Sequence, residues 1–336
     1  MEPYLFNFDG RSLPIFHEET RFQDIFLKIT YVGPVFMAYS MGKTDEKKFT
    51  KIKDPLTLFL ISTTNSAHSM SEIIDFLQYY NDHKDTIITI GISRILQKRL
   101  PLLFELITLL LPKRKILILE DSTLYKCSQL ITYRLQHMNY IKHWNEVPFT
   151  TEIHNEKKRL LFQSIQHIQS DFLCNPDSLF QKVRSIYSEN KHRFTLHDRI
   201  MLIKTNKDPI LSTIQRCMEF PTAAVLDTLR TNKIHFVSIS NFKNIEEYIC
   251  MLYHAKTLIF SYGGPTCTNR FFCNPSATVI VLGHTHYRPE YEYKNDDAMY
   301  WHVRHSHLIP VNKQYFLLDF ANSLDEKNVQ EILDLI

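Results

Sequence analysis

The feature that most constrains the fold is an alternation of short apolar runs with longer stretches of helical period. The runs are rich in β-branched residues, and the stretches between them repeat apolar residues every three or four positions. This alternation is typical of α/β proteins, in which helices cover a mostly parallel sheet. It occurs on both sides of residues 188–193, a polar stretch that favours a linker. The sequence therefore predicts two α/β domains, 1–190 and 191–322, followed by a C-terminal helix in 323–336.

Length and composition agree with two cores of ordinary size. The chain has 336 residues, whereas single hydrophobic cores stop growing at about 250–300 residues. With 44% hydrophobic and 22% charged residues, the chain has enough apolar material to fold, so intrinsic disorder is excluded.

Net charge and the absence of targeting patterns limit the classes of partner and the cellular compartment that we expect. Lys+Arg 39 against Asp+Glu 36 leaves a net charge of +3, so we expect no nucleic-acid partner. The opening residues MEPYLFNFDG lack the pattern of a signal peptide, and the most apolar run, 102–111, is short of the ~20 residues that a membrane span needs. Six cysteines without a CxxC pair indicate reduced thiols. We expect a cytoplasmic protein without a membrane span; the glycine-poor composition also suits a virus, in which case the compartment is the host cytoplasm.

Secondary structure is predicted throughout the chain from these patterns. Strands are predicted at 34–40, 57–62, 86–90, 115–120, 199–204, 234–239, 257–261, 278–282 and 315–319. Helices are predicted at 71–81, 95–111 with a kink or a new start at Pro101, 124–137, 152–171, 176–190, 221–232, 244–255 and 324–336, the last opened by a capping box at 323–326.

An adjacent glycine pair follows the predicted strand 257–261. The chain has only 7 glycines, and two of them are Gly263 and Gly264. Glycine lets the backbone approach a ligand closely, and the N terminus of a following helix would attract an anion such as a diphosphate. The pair matches neither the Walker loop nor the dinucleotide fingerprint, and a plain strand-to-helix turn is the alternative. Hydroxyl donors and a cation follow the pair at Thr266, Thr268 and Arg270.

A histidine and a carboxylate share the helix after the strand 57–62. His68 and Glu72 are four positions apart, which places them on one helical face. A carboxylate beside an imidazole raises its basicity and orients it, as a base for a hydroxyl group requires. A surface histidine with a solvated carboxylate is the alternative, and Glu72 itself or Asp121 is the alternative base.

Three motifs, in this order along the chain, resemble glycosyltransferase family 61. The segment 65–72 is similar to the family's Asn-x-x-His-x-x-x-acidic motif. The strand 199–204 resembles one that ends in an arginine at the donor phosphates, with Lys204 in its place. The segment 255–282 resembles the family's C-terminal signature, with Tyr262 where the family often has His. The positions that match this signature are Gly263, Asn269, Phe272 and Pro275.

The resemblance implies a GT-B fold, in which two Rossmann-like domains with mostly parallel sheets face each other across a cleft. It also implies that the C-terminal helix returns to the N-terminal domain. The implied reaction is the inverting transfer of a sugar from a nucleotide-diphosphate sugar to a hydroxyl group of a glycan or glycoprotein. The domain 1–190 would hold the acceptor and the domain 191–322 the donor, with no metal or other cofactor required.

Residue chemistry and the resemblance together predict roles for individual residues. His68 is predicted as the catalytic base, oriented by Glu72. The predicted donor-binding residues are Lys204, Gly263, Gly264, Thr266, Thr268, Asn269 and Arg270. Sugar or acceptor contacts are expected from Asn65, Ser66, His286, Tyr287 and Glu290.

Histidines near the end of the chain also invite a metal interpretation, because imidazole is a common zinc ligand. They are His284, His286, His302, His305 and His307. No cysteine or carboxylate arrangement completes a site around them, so we expect no metal.

Two other functions remain open on this sequence. A pyruvyl-type or phosphosugar-type transferase on a similar scaffold would use the same anion-binding turn. A degenerate subunit that binds without catalysis would explain why Tyr262 and Lys204 depart from the family pattern.

Overall fold

The computed structural model describes residues 19–32, 36–59, 66–111, 115–132, 151–154, 159–163, 177–203, 219–238, 242, 244–261, 269–284, 313–320 and 324–336. Within these ranges the chain forms 14 strands and 7 α-helices in two seven-stranded sheets. The strand pairs within both sheets are mostly parallel. The predicted α/β class with mostly parallel sheets is therefore confirmed.

The chain divides into two compact units whose boundary differs from the predicted one. The first unit contains Met1–Glu146 and Gln169–Leu179, and the second contains Val147–Ile168 and Phe180–Ile336. The prediction placed the boundary after residue 190, where the sequence turns polar. The helix before that point instead belongs mainly to the second unit, since Val183 and Ile186 are buried and the Cys250 thiol lies 4.0 Å from the Ile186 carbonyl oxygen.

The first unit is a mixed sheet in which the parallel part carries the helices. Its strand order is β2-β1-β7-β4-β5-β6, with β3 beside β7. β1 is antiparallel to both β2 and β7, and the other pairs are parallel. The strands are β1 Thr20–Val32, β2 Phe36–Gly42, β3 Thr50–Ile52, β4 Leu56–Leu58, β5 Thr89–Ser93, β6 Lys115–Leu119 and β7 Leu124–Thr132.

Three helices connect the parallel strands of the first unit. α1 (Ser66–His83) lies between β4 and β5, and α2 (Arg94–Arg99) and α3 (Pro101–Leu110) lie between β5 and β6. Pro101 occupies the first turn of α3, where its missing N–H costs nothing. The predicted kink at Pro101 is thus a break between two helices.

Two predicted helices are strands in the structure. The segment predicted as helix 124–137 contains β7. The segment predicted as helix 152–171 overlaps β8 (Thr151–His154) and contains β9 (Arg159–Gln163). β7 lies between β1 on one side and β3 and β4 on the other. A central strand buries residues on both faces, so its apolar residues do not alternate and imitate a helical period.

The second unit has five adjacent parallel strands. Its order is β11-β10-β12-β13-β14-β9-β8, and only β9 and β8 run antiparallel to their neighbours. The parallel strands are β10 Arg199–Ile203, β11 His235–Ser238, β12 Thr257–Ser261, β13 Thr278–His284 and β14 Lys313–Phe320.

Four helices belong to this part of the chain, and side chains cap three of them. Thr222 caps the second and Asn244 caps the third, each by accepting a backbone N–H bond. Asp325 caps the last in a capping box with Asn328, so the box predicted at 323–326 begins two residues too early. The helices are α4 Asp177–Asn190, α5 Ala223–Thr231, α6 Ile245–His254 and α7 Glu326–Leu333.

No helix among the described residues combines the length and the apolar character that crossing a lipid bilayer requires.

The C-terminal helix α7 buries its apolar stripe in the core of the second unit. Val329 and Ile332 have no exposed surface, and they pack in one cluster with residues of β10, α5, β12 and β13. The prediction that this helix returns to the first domain is wrong for the described contacts. The reason is that the stripe covers the sheet face formed by Met201, Ile259 and Ile280.

Ile332→Ala is therefore expected to lower the free energy of unfolding of the second unit by about 2–5 kcal/mol, the usual cost of deleting a buried aliphatic side chain. Lys327→Ala, an exposed change on the same helix, should stay within about 0.5 kcal/mol of the parent. Urea unfolding followed by circular dichroism measures both. Equal stability of the two variants would contradict the packing of α7 in this core.

Candidate functional site

The carboxyl edge of the second sheet contains a reversal of strand order. The chain enters the parallel part of the sheet at β10, places β11 on one side, and then crosses back to place β12 on the other side of β10. β13 and β14 continue outward from β12. In open parallel sheets, ligands bind outside the carboxyl ends of the strands at such a reversal, where the connections part in opposite directions. The sheet topology therefore marks the ends of β10 and β12 as the candidate site.

Segments that carry predicted site residues follow the strands that end at this edge. β10 ends at Ile203, β12 at Ser261 and β13 at His284. These strands are parallel neighbours, with Leu202 opposite Phe260 and Ser261 opposite Leu282. The predicted residues that follow lie outside the described residues, and their roles stay predictions: Lys204, Gly263, Gly264, Thr266, Thr268, His286, Tyr287 and Glu290.

Asn269 marks the point at which the described chain resumes after the glycine pair. Its side chain is buried, and its Oδ1 accepts a hydrogen bond from the hydroxyl of Tyr248 on α6. The thiol of Cys273 lies 3.4 Å from the Asn269 carbonyl oxygen. Asn269 therefore attaches this end of the predicted turn to α6, a role that the sequence analysis did not anticipate. Of Arg270, which opens the short 3₁₀ turn Arg270–Phe272, only the backbone is described.

Tyr248 is the buried partner that makes this attachment. Burial, together with the nearby Cys273, raises the pKa of Tyr248, so the phenol stays protonated and donates its hydrogen. Its ring packs edge-to-face against Phe242 and Phe272, at centroid distances of 4.5 and 5.9 Å. The Tyr248–Asn269 pair thus holds α6 and the 3₁₀ turn at a fixed separation.

Tyr248→Phe should lower the free energy of unfolding by about 1–3 kcal/mol, because it leaves the buried Asn269 oxygen without this donor. Tyr253→Phe is the matched control, since Tyr253 lies on the same helix and is only partly buried. Thermal unfolding of both variants measures the difference. If the two variants melt together, the hydrogen bond does not anchor the segment.

The predicted base lies near the start of α1 in the first unit. α1 begins at Ser66, so His68 falls in the first turn and Glu72 in the second, and their spacing places them on one helical face. Their side chains and that of Ser66 are outside the described part, as is the whole of Asn65. Helical placement of the pair is confirmed, and its catalytic role stays a prediction.

A charged pair that sequence reasoning missed lies at the carboxyl edge of the first sheet. The Arg94 guanidinium donates to the Glu120 carboxylate from Nε at 2.9 Å and from Nη2 at 2.7 Å. Arg94 directly follows β5 and Glu120 directly follows β6, and these strands are parallel neighbours. The hydrogen bonds from Arg94 lower the pKa of Glu120, so the pair stays ionised near neutral pH. The sequence could have indicated this ion pair, because a basic and an acidic residue directly follow two adjacent strands.

Asp121, the alternative base, has a structural task in the described chain. Its Oδ1 accepts the backbone N–H of Tyr31 at 2.8 Å. The N–H of the next residue, Ser122, donates to the Ile29 carbonyl oxygen at 2.7 Å. Asp121 thus helps to hold the turn after β6 against β1, which weakens it as a candidate base.

The amino edge of the second sheet is tied together by internal contacts. The Asp198 carboxylate accepts a hydrogen bond from the Lys256 ammonium at 2.8 Å, and its other oxygen lies 3.5 Å from His254 Nε2. His254 Nδ1 is 3.0 Å from the hydroxyl of Tyr187 on α4. The hydrogen bond from Lys256 lowers the pKa of Asp198, which keeps the ion pair intact near neutral pH. This edge therefore has a structural role, and no predicted site residue lies on it.

The described residues include no cluster that could bind a metal ion, and two of their buried cysteines keep their thiols protonated near neutral pH. No three His, Cys, Asp or Glu side chains in that part of the chain come together in a way that could hold a metal ion. Burial raises the pKa of Cys127 to about 12 and that of Cys250 to about 11, so neither thiol supplies a thiolate near neutral pH. The predicted histidines at 286, 302, 305 and 307 lie outside the described ranges.

No family model matches the chain, and no curated protein matches it significantly. The resemblance to glycosyltransferase family 61 rests on three short motifs alone and stays a prediction.

Proposed function

We propose that this chain is an inverting glycosyltransferase that moves a sugar from a nucleotide-diphosphate sugar to a hydroxyl group of a glycan or glycoprotein. The observation that carries the proposal is the reversal of strand order between β10 and β12. A diphosphate is expected outside the carboxyl ends of strands at such a reversal. The residues that come next in the sequence, Lys204 and the segment 262–268 with its glycine pair, have the chemistry that a diphosphate requires.

The second unit would bind the donor through main-chain and charged groups. Glycine at 263 and 264 leaves room for phosphate oxygens to approach backbone N–H groups, and Lys204 adds a positive charge. When the sugar leaves, negative charge grows on the diphosphate, and preorganised donors stabilise that charge. The Tyr248–Asn269 hydrogen bond supports this proposal because it fixes the end of the segment that carries the glycines.

The first unit would supply the base. In the transfer, the acceptor oxygen bonds to the anomeric carbon while the bond from that carbon to the diphosphate breaks. The proton of the acceptor hydroxyl passes to His68, which Glu72 orients. A neutral imidazole titrates near the working pH and is suited to this step. The GT-B arrangement that the resemblance implies is part of the same proposal, supported by two α/β units with mostly parallel sheets.

Donor binding is tested by two variants and a matched control on the same sheet. Gly264→Val should abolish the thermal stabilisation that nucleoside diphosphates give the parent, because the side chain would fill the phosphate position. Lys204→Gln should weaken nucleotide binding by about tenfold or more, the value of one charge-assisted hydrogen bond. Lys256→Gln makes the same charge change before β12, at the amino edge, and should leave binding unchanged. A panel of UDP, GDP, ADP and CDP in a thermal-shift titration measures all of these.

Two outcomes would contradict donor binding at this edge. If no nucleoside diphosphate stabilises the folded parent, the chain is a scaffold or uses another donor. If Lys204→Gln and Lys256→Gln weaken binding equally, the effect is one of net charge and the site is elsewhere.

His68→Ala should lower turnover by ~100-fold or more, the usual effect of removing a general base, with donor affinity nearly unchanged. Glu72→Gln should give a smaller loss, since the base remains. His83→Gln, at the opposite end of the same helix, is the control and should keep the parent rate. Release of nucleoside diphosphate from the sugar nucleotide that stabilises the parent provides the assay. Transfer at the parent rate by His68→Ala would move the base to Glu72.

A further inference from the structure

The first unit carries a basic and aromatic surface that the proposed transfer does not use. Phe26 of β1 pairs with Lys126 of β7, and Lys126 pairs in turn with Lys51 of β3. Residues directly opposite each other in a sheet project from the same face. These three side chains therefore form one row across three strands.

The opposite face of the same strands is the core. Leu27, Ile29 and Cys127 have no exposed surface, and Ile52 is also buried. Because neighbouring residues in a strand alternate between faces, the row with Phe26, Lys126 and Lys51 points away from the core.

An exposed aromatic side chain adjoins this row. Phe49 is 41% exposed, and it is one of two large hydrophobic side chains that are exposed in the described chain. Its ring meets that of Phe26 edge-to-face at a centroid distance of 5.4 Å. The Lys126 ammonium lies 5.8 Å from the centroid of Phe26 and 6.0 Å from that of Phe49, within the range of cation–π attraction. The contact places a positive charge beside an accessible ring.

Positive charge is concentrated in the segment that carries Phe49. The segment 43–54 contains five exposed lysines and three acids, of which Asp54 is paired with Lys115 at 2.7 Å. Among the ion pairs of the described residues, none uses these five lysines or Lys126. The five are Lys43, Lys47, Lys48, Lys51 and Lys53.

We propose that the basic–aromatic face, formed by Phe26, Phe49, Lys51 and Lys126, binds an acidic glycan. A sugar ring presents an apolar C–H face that packs against an aromatic ring, and the lysines pair with carboxylate or sulfate groups on the same chain. The face lies apart in sequence from the residues proposed for transfer, and its binding does not require that activity.

Charge density favours a glycan over a nucleic acid. A nucleic-acid strand carries a phosphate about every 3.4 Å, so a protein surface that binds it needs nearly uniform positive charge. Asp45 and Glu46 are exposed beside these lysines and would repel such a polymer. An acidic glycan carries its charges at least one sugar ring apart, a lower charge density than that of a nucleic acid, and the uncharged hydroxyl groups between them can lie beside these acids.

Binding of the full-length parent to three probes of matched length tests the proposal: an oligogalacturonate, a neutral galactan oligosaccharide and oligo(dT). The oligogalacturonate should bind and the neutral glycan should not. Lys51→Gln/Lys126→Gln should weaken oligogalacturonate binding by about 3- to 10-fold, the scale of two exposed ion pairs. Phe49→Ala should weaken it by about 3-fold through the loss of the ring. The control Lys233→Gln/Lys327→Gln makes the same charge change on exposed lysines of the second unit and should bind as the parent does.

Three results would overturn the proposal. The first is no binding of oligogalacturonate by the parent. The second is an equal loss in the control variant, which would show non-specific attraction. The third is tighter binding of oligo(dT), which would make the face a nucleic-acid surface. Melting temperatures confirm that each variant is folded, and nucleoside-diphosphate stabilisation of the same samples reports separately on the proposed transferase.

Discussion

The organisation of the second unit depends on the burial of both faces of a parallel sheet. Every residue of β12 is buried, and its neighbours β10 and β13 are nearly as inaccessible in the part whose side chains are described. Met201, Ile259 and Ile280 form one row that α5 and α7 cover. Leu202, Phe260 and Val281 form the row on the opposite face. A right-handed return from β11 to β12, the general rule for parallel strands, is expected to place α6 on that side. Because the strands are apolar along their length, polar chemistry is confined to their ends.

The two ends of this sheet differ in what their polar groups do. At the amino edge, Asp198 is shared by Lys256 and His254, and these contacts tie the starts of β10 and β12 to the end of α6. At the carboxyl edge, β12 ends at the buried Ser261, and the strands lead into the segments with the glycine pair and Lys204. The described contacts thus give the amino edge a structural role, and the proposed ligand site lies at the carboxyl edge, where ligands usually bind in such sheets.

Sequence patterns predicted elements whose stability is local and missed those that depend on distant partners. β12 was predicted with its observed bounds because an apolar run ends near a glycine pair. α6, which Asn244 caps in the structure, was predicted to within one residue at each end. β7 and β9 were predicted as helices, since their partners β1, β3, β4 and β14 lie far away in the chain. Among the described strands, β8 pairs only with β9 and was missed together with it. The candidate site divides in the same way. The order of its motifs could be read from the sequence, but the Tyr248–Asn269 and Arg94–Glu120 contacts join residues 21 and 26 positions apart, and only the fold reveals them.

The two halves of the mixed sheet in the first unit differ in how their faces are covered. In its parallel half, β4 and β5 are buried, and helices follow the carboxyl ends of both strands. In the half with β2, β1, β7 and β3, no described helix connects the strands. Leu27 and Cys127 on one face are fully buried, whereas Phe26 and Lys126 on the outer face remain partly exposed. Phe26 and Lys126 are on that outer face because of their register with each other, and a shift of one residue would exchange them with Leu27 and Cys127. The burial of Leu27 and Cys127 therefore fixes which side chains this surface offers to a partner.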